Sequence, residues 1–373
     1  MTYRRAAIPA LAGSVLFTLL LWWAGASAQT LRLGGTSHLL DAPSLTELAR
    51  RLLPWSYDAP GELPGTPGSG DPGVGGAAYG DLYATGMQIR FVAVLALFLA
   101  GALLLIRRIP PTRGRTPATV LALWAWGPVA ATLAVTVSAP WLIASQGRGS
   151  FRILPRLADT VASGGPVVVA AALVTALLTT LLARVTAKGE RPAPRREVPP
   201  RAARRAATAG TAVVALSLVV LSYQPVAARI QTSFGGAGML SEPGDLLRQW
   251  LLLGGWSAPS TGATGSWLLD RAADLLVLVV VWWTLRLLPG LLTRTTVPAM
   301  AAGAVCGIVL GLLASQVAHM VLDDTGAVWG PAHLLSGLGA GVPAALTFGV
   351  LAGPAALTVL RPARGGDTAA ASR

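Results

Sequence analysis

The residues that could do chemistry are concentrated at the end of one apolar segment and the start of the next. His319 and Asp323 are four residues apart, so a helix would place them on one face, and Asp324 follows directly. His333 begins the next apolar segment. Imidazole and carboxylate groups at this spacing can bind a transition metal or relay a proton. A polar helix end at a membrane surface would carry the same residues, so both interpretations stay open.

A second polar group stands where another apolar segment begins. Asp270 and Asp274 lie one helical turn apart on either side of Arg271, and an earlier apolar segment begins in the same way with Asp81 and Arg90. We expect the two later aspartates to pair with Arg271 or Arg90 at the rim of a helix bundle. A substrate-binding role is the alternative.

Motifs that would define an enzyme are missing from the sequence. It contains no Walker-type phosphate loop, no H-E-x-x-H and no G-x-S-x-G. The cores of the apolar segments contain no acidic residue, whereas ion-coupled transport commonly uses intramembrane carboxylates. We therefore assign no catalytic residue, no metal ligand and no cofactor, and we expect a protein that is not an enzyme.

The composition is that of an all-α polytopic membrane protein. Apolar residues make up 53% of the 373 residues and charged residues 12%, whereas soluble domains carry about 25% charged residues. Runs of about 20 apolar residues recur, as bilayer-crossing helices require. The predicted spans are 6–28, 91–106, 116–143, 165–182, 206–228, 275–288, 297–322 and 333–360.

The basic residues predict the orientation of these spans. Segments assigned to the inner side hold 19 of the 29 basic residues and three of the 16 acidic ones, as the positive-inside rule requires. The stretch from Arg184 to Arg205 alone has eight basic residues. Both termini are therefore predicted to be cytoplasmic. Because the charge of +13 sits in short loops, it does not indicate nucleic-acid binding. The prevalence of Arg, Ala, Gly and Pro suggests a bacterial inner-membrane protein.

The two halves of the chain resemble each other in the order of their loop residues. Arg4-Arg5 aligns with Arg204-Arg205, Trp55 with Trp256, and Arg90 with Arg271. Because each half has four spans and begins inside, the pattern predicts two parallel four-helix repeats related by an axis along the membrane normal.

The predicted division of the chain follows from this duplication. Residues 1–184 form the first repeat with an outer loop at 29–88, residues 185–205 form a basic cytoplasmic linker, and residues 206–373 form the second repeat with an outer loop at 229–270. Residues 1–28 also fit a cleaved signal peptide, although the second half has a counterpart that cannot be one.

Smaller elements are predicted around the spans. Segments ending at Trp55 and Trp256 are amphipathic and predict two helices on the outer membrane surface, where tryptophans form an aromatic belt. A flexible segment is predicted after the first of these surface helices. Residues 144–163 are predicted to form an outer loop. Glycines recur every four residues in spans seven and eight, which predicts close packing of these two helices.

Three classes of function remain. The first is a non-enzymatic component of a membrane complex, with protein partners or a second copy of itself in the bilayer. The second is a permease for a lipid or another apolar or amphipathic substrate, because pseudo-symmetric halves often enclose a path. The third is an outer-face enzyme that uses His319 and Asp323.

Overall fold

The computed structural model describes residues 3–32, 52–57, 75–111, 114–145, 153–162, 165–187, 198–233, 243–259, 264–322 and 326–360. The helices are α1 Tyr3–Arg32, α2 Gly75–Arg108, α3 Thr116–Ala144, α4 Ile153–Ala162, α5 Gly165–Thr186, α6 Pro200–Ala215, α7 Gln224–Thr232, α8 Gly244–Leu251, α9 Thr264–Leu291, α10 Val297–Leu322 and α11 Gly326–Leu360. A 3-10 turn covers Leu53–Trp55, and a π-helical turn, Leu216–Leu221, continues α6.

Eight of these helices are long and apolar enough to cross a membrane, namely α1, α2, α3, α5, α6 with its π-turn, α9, α10 and α11. This confirms the predicted number of spans and the all-α class. No strand occurs among the described residues; the extended backbone at Tyr223 and Trp256 forms a single isolated bridge.

Four spans pack around each other in each half of the chain. In the first half α1 contacts α2 and α5, and α3 contacts the same two helices. In the second half α6 contacts α9 and α11, and α10 contacts the same two. In both halves, therefore, each span contacts the next span along the chain, and the fourth span contacts the first.

The halves contact each other mainly through their third and fourth spans. Helix α3 packs against α10 and α11, and α5 packs against α11. In this contact the buried Cys306 thiol donates a hydrogen bond to the Ala122 carbonyl oxygen at 3.4 Å. On the predicted outer side, Gln249 Nε2 donates to the Ala158 carbonyl oxygen at 3.0 Å.

Glycines bring the backbones of α10 and α11 close together, which confirms the predicted packing of spans seven and eight. A Cβ atom added at Gly353 would lie 2.5 Å from Ala301 Cα, and one at Gly349 would lie 2.6 Å from Val305 Cα. The glycine stripe of α10 has a different partner, because Gly307 faces Thr284 on α9.

Three elements differ from the prediction. Helix α2 begins at Gly75, inside the segment predicted to be flexible, and Tyr83 in its N-terminal part is buried. The predicted loop 144–163 contains the amphipathic helix α4, which packs against α3 and α8. The predicted span 206–228 is interrupted after Leu221.

The interruption of the fifth span has a local cause. Ser222 N–H bonds to the Ser217 carbonyl oxygen five residues earlier, at 3.0 Å, which closes the π-turn. The backbone then leaves the helix, because Gln224 N–H donates to the Trp256 carbonyl at 2.8 Å and Trp256 N–H donates to the Ser222 carbonyl at 3.0 Å. Pro225, which has no N–H to donate, lies in the first turn of α7.

The predicted surface helices have different outcomes. The second is partly confirmed, because α8 is amphipathic and ends at Leu251, before Trp256. Only the end of the first predicted surface helix, residues 52–57, is described. There Trp55 is completely buried instead of lying in an aromatic belt, so that prediction is wrong for Trp55. Residues 33–51 and 58–74 lie outside the described residues.

Substitution of Gly353 tests the contact between α10 and α11. The Gly353→Ala methyl group would meet backbone atoms of α10, so we expect a loss of about 1–3 kcal/mol and a lower melting temperature in detergent. Gly290→Ala is the control, because a Cβ there has nothing within 4 Å. Equal melting temperatures of the two variants would contradict the packing.

The even number of spans predicts that both ends of the chain lie on one side of the membrane. When the protein is expressed in bacterial cells, green fluorescent protein fused to either terminus should fluoresce, whereas alkaline phosphatase fused there should be inactive. A terminus that instead activates alkaline phosphatase would contradict the predicted orientation.

Candidate functional site

Arg90 is the most unusual charged residue of the described part of the chain. It lies in the candidate span Gly80–Arg108, yet its side chain is only 2% exposed. Its Nε donates a hydrogen bond to Ser138 Oγ at 2.9 Å, and Nη1 donates to the Pro54 carbonyl oxygen. The guanidinium carbon lies 5.8 Å from the centre of the Trp55 ring, in the range of a cation–π contact. Arg90 therefore joins three elements: α2, α3 and the segment 52–57.

The segment 52–57 is held inside the first half. The Trp55 carbonyl lies against Gly25 of α1, where a Cβ atom would overlap it at 1.8 Å, so a larger side chain cannot be accommodated. The Tyr83 hydroxyl donates to the Ser56 carbonyl oxygen at 2.7 Å. The ring of Tyr57 stacks on Phe91 at 5.4 Å, and partial burial raises the pKa of its phenol above the ordinary value.

Arg90 is bound by neutral oxygens. The sequence predicts that Asp270 and Asp274 pair with Arg271 or Arg90, and neither forms an ion pair with Arg90 in the described part of the protein. One of its nitrogens, Nη2, is buried without a hydrogen-bond partner. A buried charge of this kind is costly, so its contacts with Ser138 and Pro54 are needed to hold it in place.

The second half has an arginine and a tryptophan in a similar arrangement. The Arg271 guanidinium carbon lies 5.5 Å from the centre of the Trp256 ring. Here a carboxylate is present, because Arg271 Nη1 lies 2.5 Å from Asp274 Oδ2. The Trp256 indole N–H donates to the Val219 carbonyl at 2.9 Å. The expected pairing of Asp274 with Arg271 is thus confirmed.

His319 approaches this second cluster. Its Nδ1 lies 3.8 Å from Asp270 Oδ1, so α9 and α10 bring Asp270, Arg271, Asp274 and His319 to one end of the second half. Asp323 and Asp324 lie outside the described residues, as does the side chain of His333. Among the described residues, no three metal-ligating side chains are close enough to hold an ion.

A polar recess of about 380 Å³ lies beside the Trp256 segment. It is surrounded by α7, α8 and the chain around Trp256, all in the second half. Its lining residues are Ser222, Gln224, Ala227, Ala228, Gln231, Arg248, Leu252, Gly255, Trp256 and Ser257. Arg248 and Gln231 are exposed there, so the recess is an open groove on the protein surface.

Sequence reasoning missed the partners of Arg90. Ser138 is one of several hydroxyl residues in span three, with Thr132 and Thr136, so its presence alone does not identify it as the partner of Arg90. Pro54 contributes only a backbone oxygen, which side-chain patterns do not reveal.

The fold defines the class of protein: the chain is a multi-pass α-helical membrane protein. No family model, curated protein or solved structure matches its sequence or fold.

Removal of the Arg90 side chain should release the segment 52–57. We expect Ser56→Cys, at a position 4% exposed, to react slowly with a water-soluble maleimide in the wild-type background and much faster in Arg90→Ala. Cys306 would be replaced by Ser to leave one thiol, and Arg229→Ala, at an exposed position, is the matched control. Unchanged labelling in Arg90→Ala would contradict the role of Arg90.

Proposed function

We propose that the protein is a non-enzymatic component of a membrane complex. The observation that supports this best is the direct contact between α3 and α10, including the buried hydrogen bond from Cys306 to Ala122. A permease built from two such halves would require a passage between their third spans. Close packing at that place favours a static scaffold.

The polar groups near the predicted outer side support the same proposal. Arg90 holds the segment 52–57 against α3, and Arg271 is paired with Asp274. These contacts stabilise the helix ends and the connecting segments. A substrate site would require some of these groups to face an open cavity.

We further propose that the chain consists of two parallel four-helix repeats joined by the basic linker 185–205. The same order of helix neighbours in both halves supports the duplication. A second support is the contact of Arg90 with Trp55 and of Arg271 with Trp256, since these are the residues that the sequence alignment pairs. The distribution of arginines supports a bacterial inner membrane with both termini in the cytoplasm.

A permease for a lipid or amphipathic substrate is the second candidate. The recess beside Trp256 favours it, because an aromatic ring, two glutamines and an arginine could bind a polar headgroup. The third hypothesis, an outer-face enzyme, depends on His319 acting with Asp323. Within the described ranges, the contact of His319 with Asp270 is the observation that favours it.

A partner in the membrane is tested by photo-crosslinking in cells. A photoreactive phenylalanine at the exposed positions Trp23, Val92 and Leu268 should give one discrete protein adduct from at least one position. The matched control is the neighbouring Leu21, which is buried and should give none. The adduct should also be recovered with the tagged protein from native membranes extracted with polymer. Adducts with lipid alone at every exposed position would contradict the proposal and favour the permease.

A further inference from the structure

The turns at the predicted inner ends of the two halves are bonded to each other. Thr293, after α9, donates its N–H to the Arg108 carbonyl oxygen at 2.9 Å and its hydroxyl to the Arg107 carbonyl at 3.3 Å. Arg115, before α3, donates Nη2 to the Gly290 carbonyl at 3.3 Å. These contacts join the end of α2 and the start of α3 to the end of α9.

Five arginines lie in these turns or within about one helical turn of them, and we call them the arginine seam: Arg107, Arg108, Arg115, Arg286 and Arg294. The sequence has no acidic residue between Asp81 and Asp159 or between Asp274 and Asp323. The helices that form the seam therefore bring no carboxylate to it. Arg294 is exposed, so its charge is accessible from the membrane surface.

Arg286 extends the seam onto the surface that faces lipid. Its guanidinium carbon lies 5.2 Å from the ring centre of Trp282 and 5.3 Å from that of Trp283. Trp283 is 50% exposed and Leu287 is 51% exposed, so this part of α9 lies against acyl chains. Arg286 and Gly290 are one turn apart on the same helix face, and Gly290 is the residue that Arg115 contacts.

The geometry of Arg286 is suited to binding a phosphate group. No ion pair is formed by Arg286 among the described residues, and two aromatic rings restrict its side chain. The planar guanidinium can donate two parallel hydrogen bonds to a phosphate oxygen pair. It lies roughly 8 Å from the end of α9, within reach of the interface for a long side chain.

We propose that the arginine seam binds the headgroup of an anionic phospholipid. Arg286 and Arg294 hold the phosphate, and Trp282 and Trp283 contact the glycerol backbone and the first part of the acyl chains. The bound lipid lies where the two halves meet and so bridges them. A membrane lipid fits better than free phosphate, because the guanidinium is flanked by exposed apolar side chains.

The test uses the purified full chain in phosphatidylcholine nanodiscs with added phosphatidylglycerol, and native mass spectrometry counts the bound lipid. We expect the wild type to retain phosphatidylglycerol. Because each basic residue near a membrane surface contributes about 1 kcal/mol, Arg286→Gln with Arg294→Gln should weaken binding roughly tenfold to thirtyfold. Arg286→Lys keeps the positive charge and should weaken phosphatidylglycerol binding less.

The control substitutes two exposed arginines on the same side but away from the seam, Arg184→Gln with Arg205→Gln. This variant should retain wild-type affinity, and an equal loss would show a general effect of surface charge and overturn the site. If Arg286→Gln lowers the yield, Arg294→Gln alone, in an exposed turn, provides the same comparison. Displacement of the lipid by water-soluble glycerol phosphate at equal concentration would show that a free phosphate is the ligand, which would also overturn the proposal.

Discussion

Close contact between helix backbones is the constraint on which the rest of this structure depends. Within a bilayer the hydrophobic effect does not hold helices together, so van der Waals packing between small residues must do so. Helix α10 shows this most clearly, since α11 approaches it through Gly349 and Gly353 and its own Gly307 packs against Thr284 of α9. Because α10 also packs against α3, the same helix joins the two halves.

Within these apolar helices, the polar residues hold particular helix ends and connecting segments in place. Arg90 would be very costly to bury alone, and it is tolerated because Ser138 and the Pro54 carbonyl accept its hydrogen bonds. In the second half Asp274 provides the acceptor for Arg271. On the predicted inner side, hydrogen bonds from the Thr293 N–H and hydroxyl link the turns of the two halves. The charged groups thus stabilise ends and junctions, which agrees with a scaffold.

The spans could be predicted from the sequence, because a helix that crosses a bilayer must be apolar over about 20 residues. The pairing of Arg271 with Asp274 followed from helical spacing. The start of α2 at Gly75 could not be predicted, because Tyr83 is stabilised there by a distant oxygen of Ser56. The break after Leu221 likewise depends on backbone bonds to Trp256, which no local pattern contains.

We propose that the protein is a scaffold bound to another membrane protein. The most direct measurement is electron cryo-microscopy of the full chain extracted from its native membrane with surrounding lipid. The account predicts additional protein density against the lipid-facing helices, with α3 and α10 in contact along the junction. An isolated chain with a lipid-filled passage between α3 and α10 would contradict it.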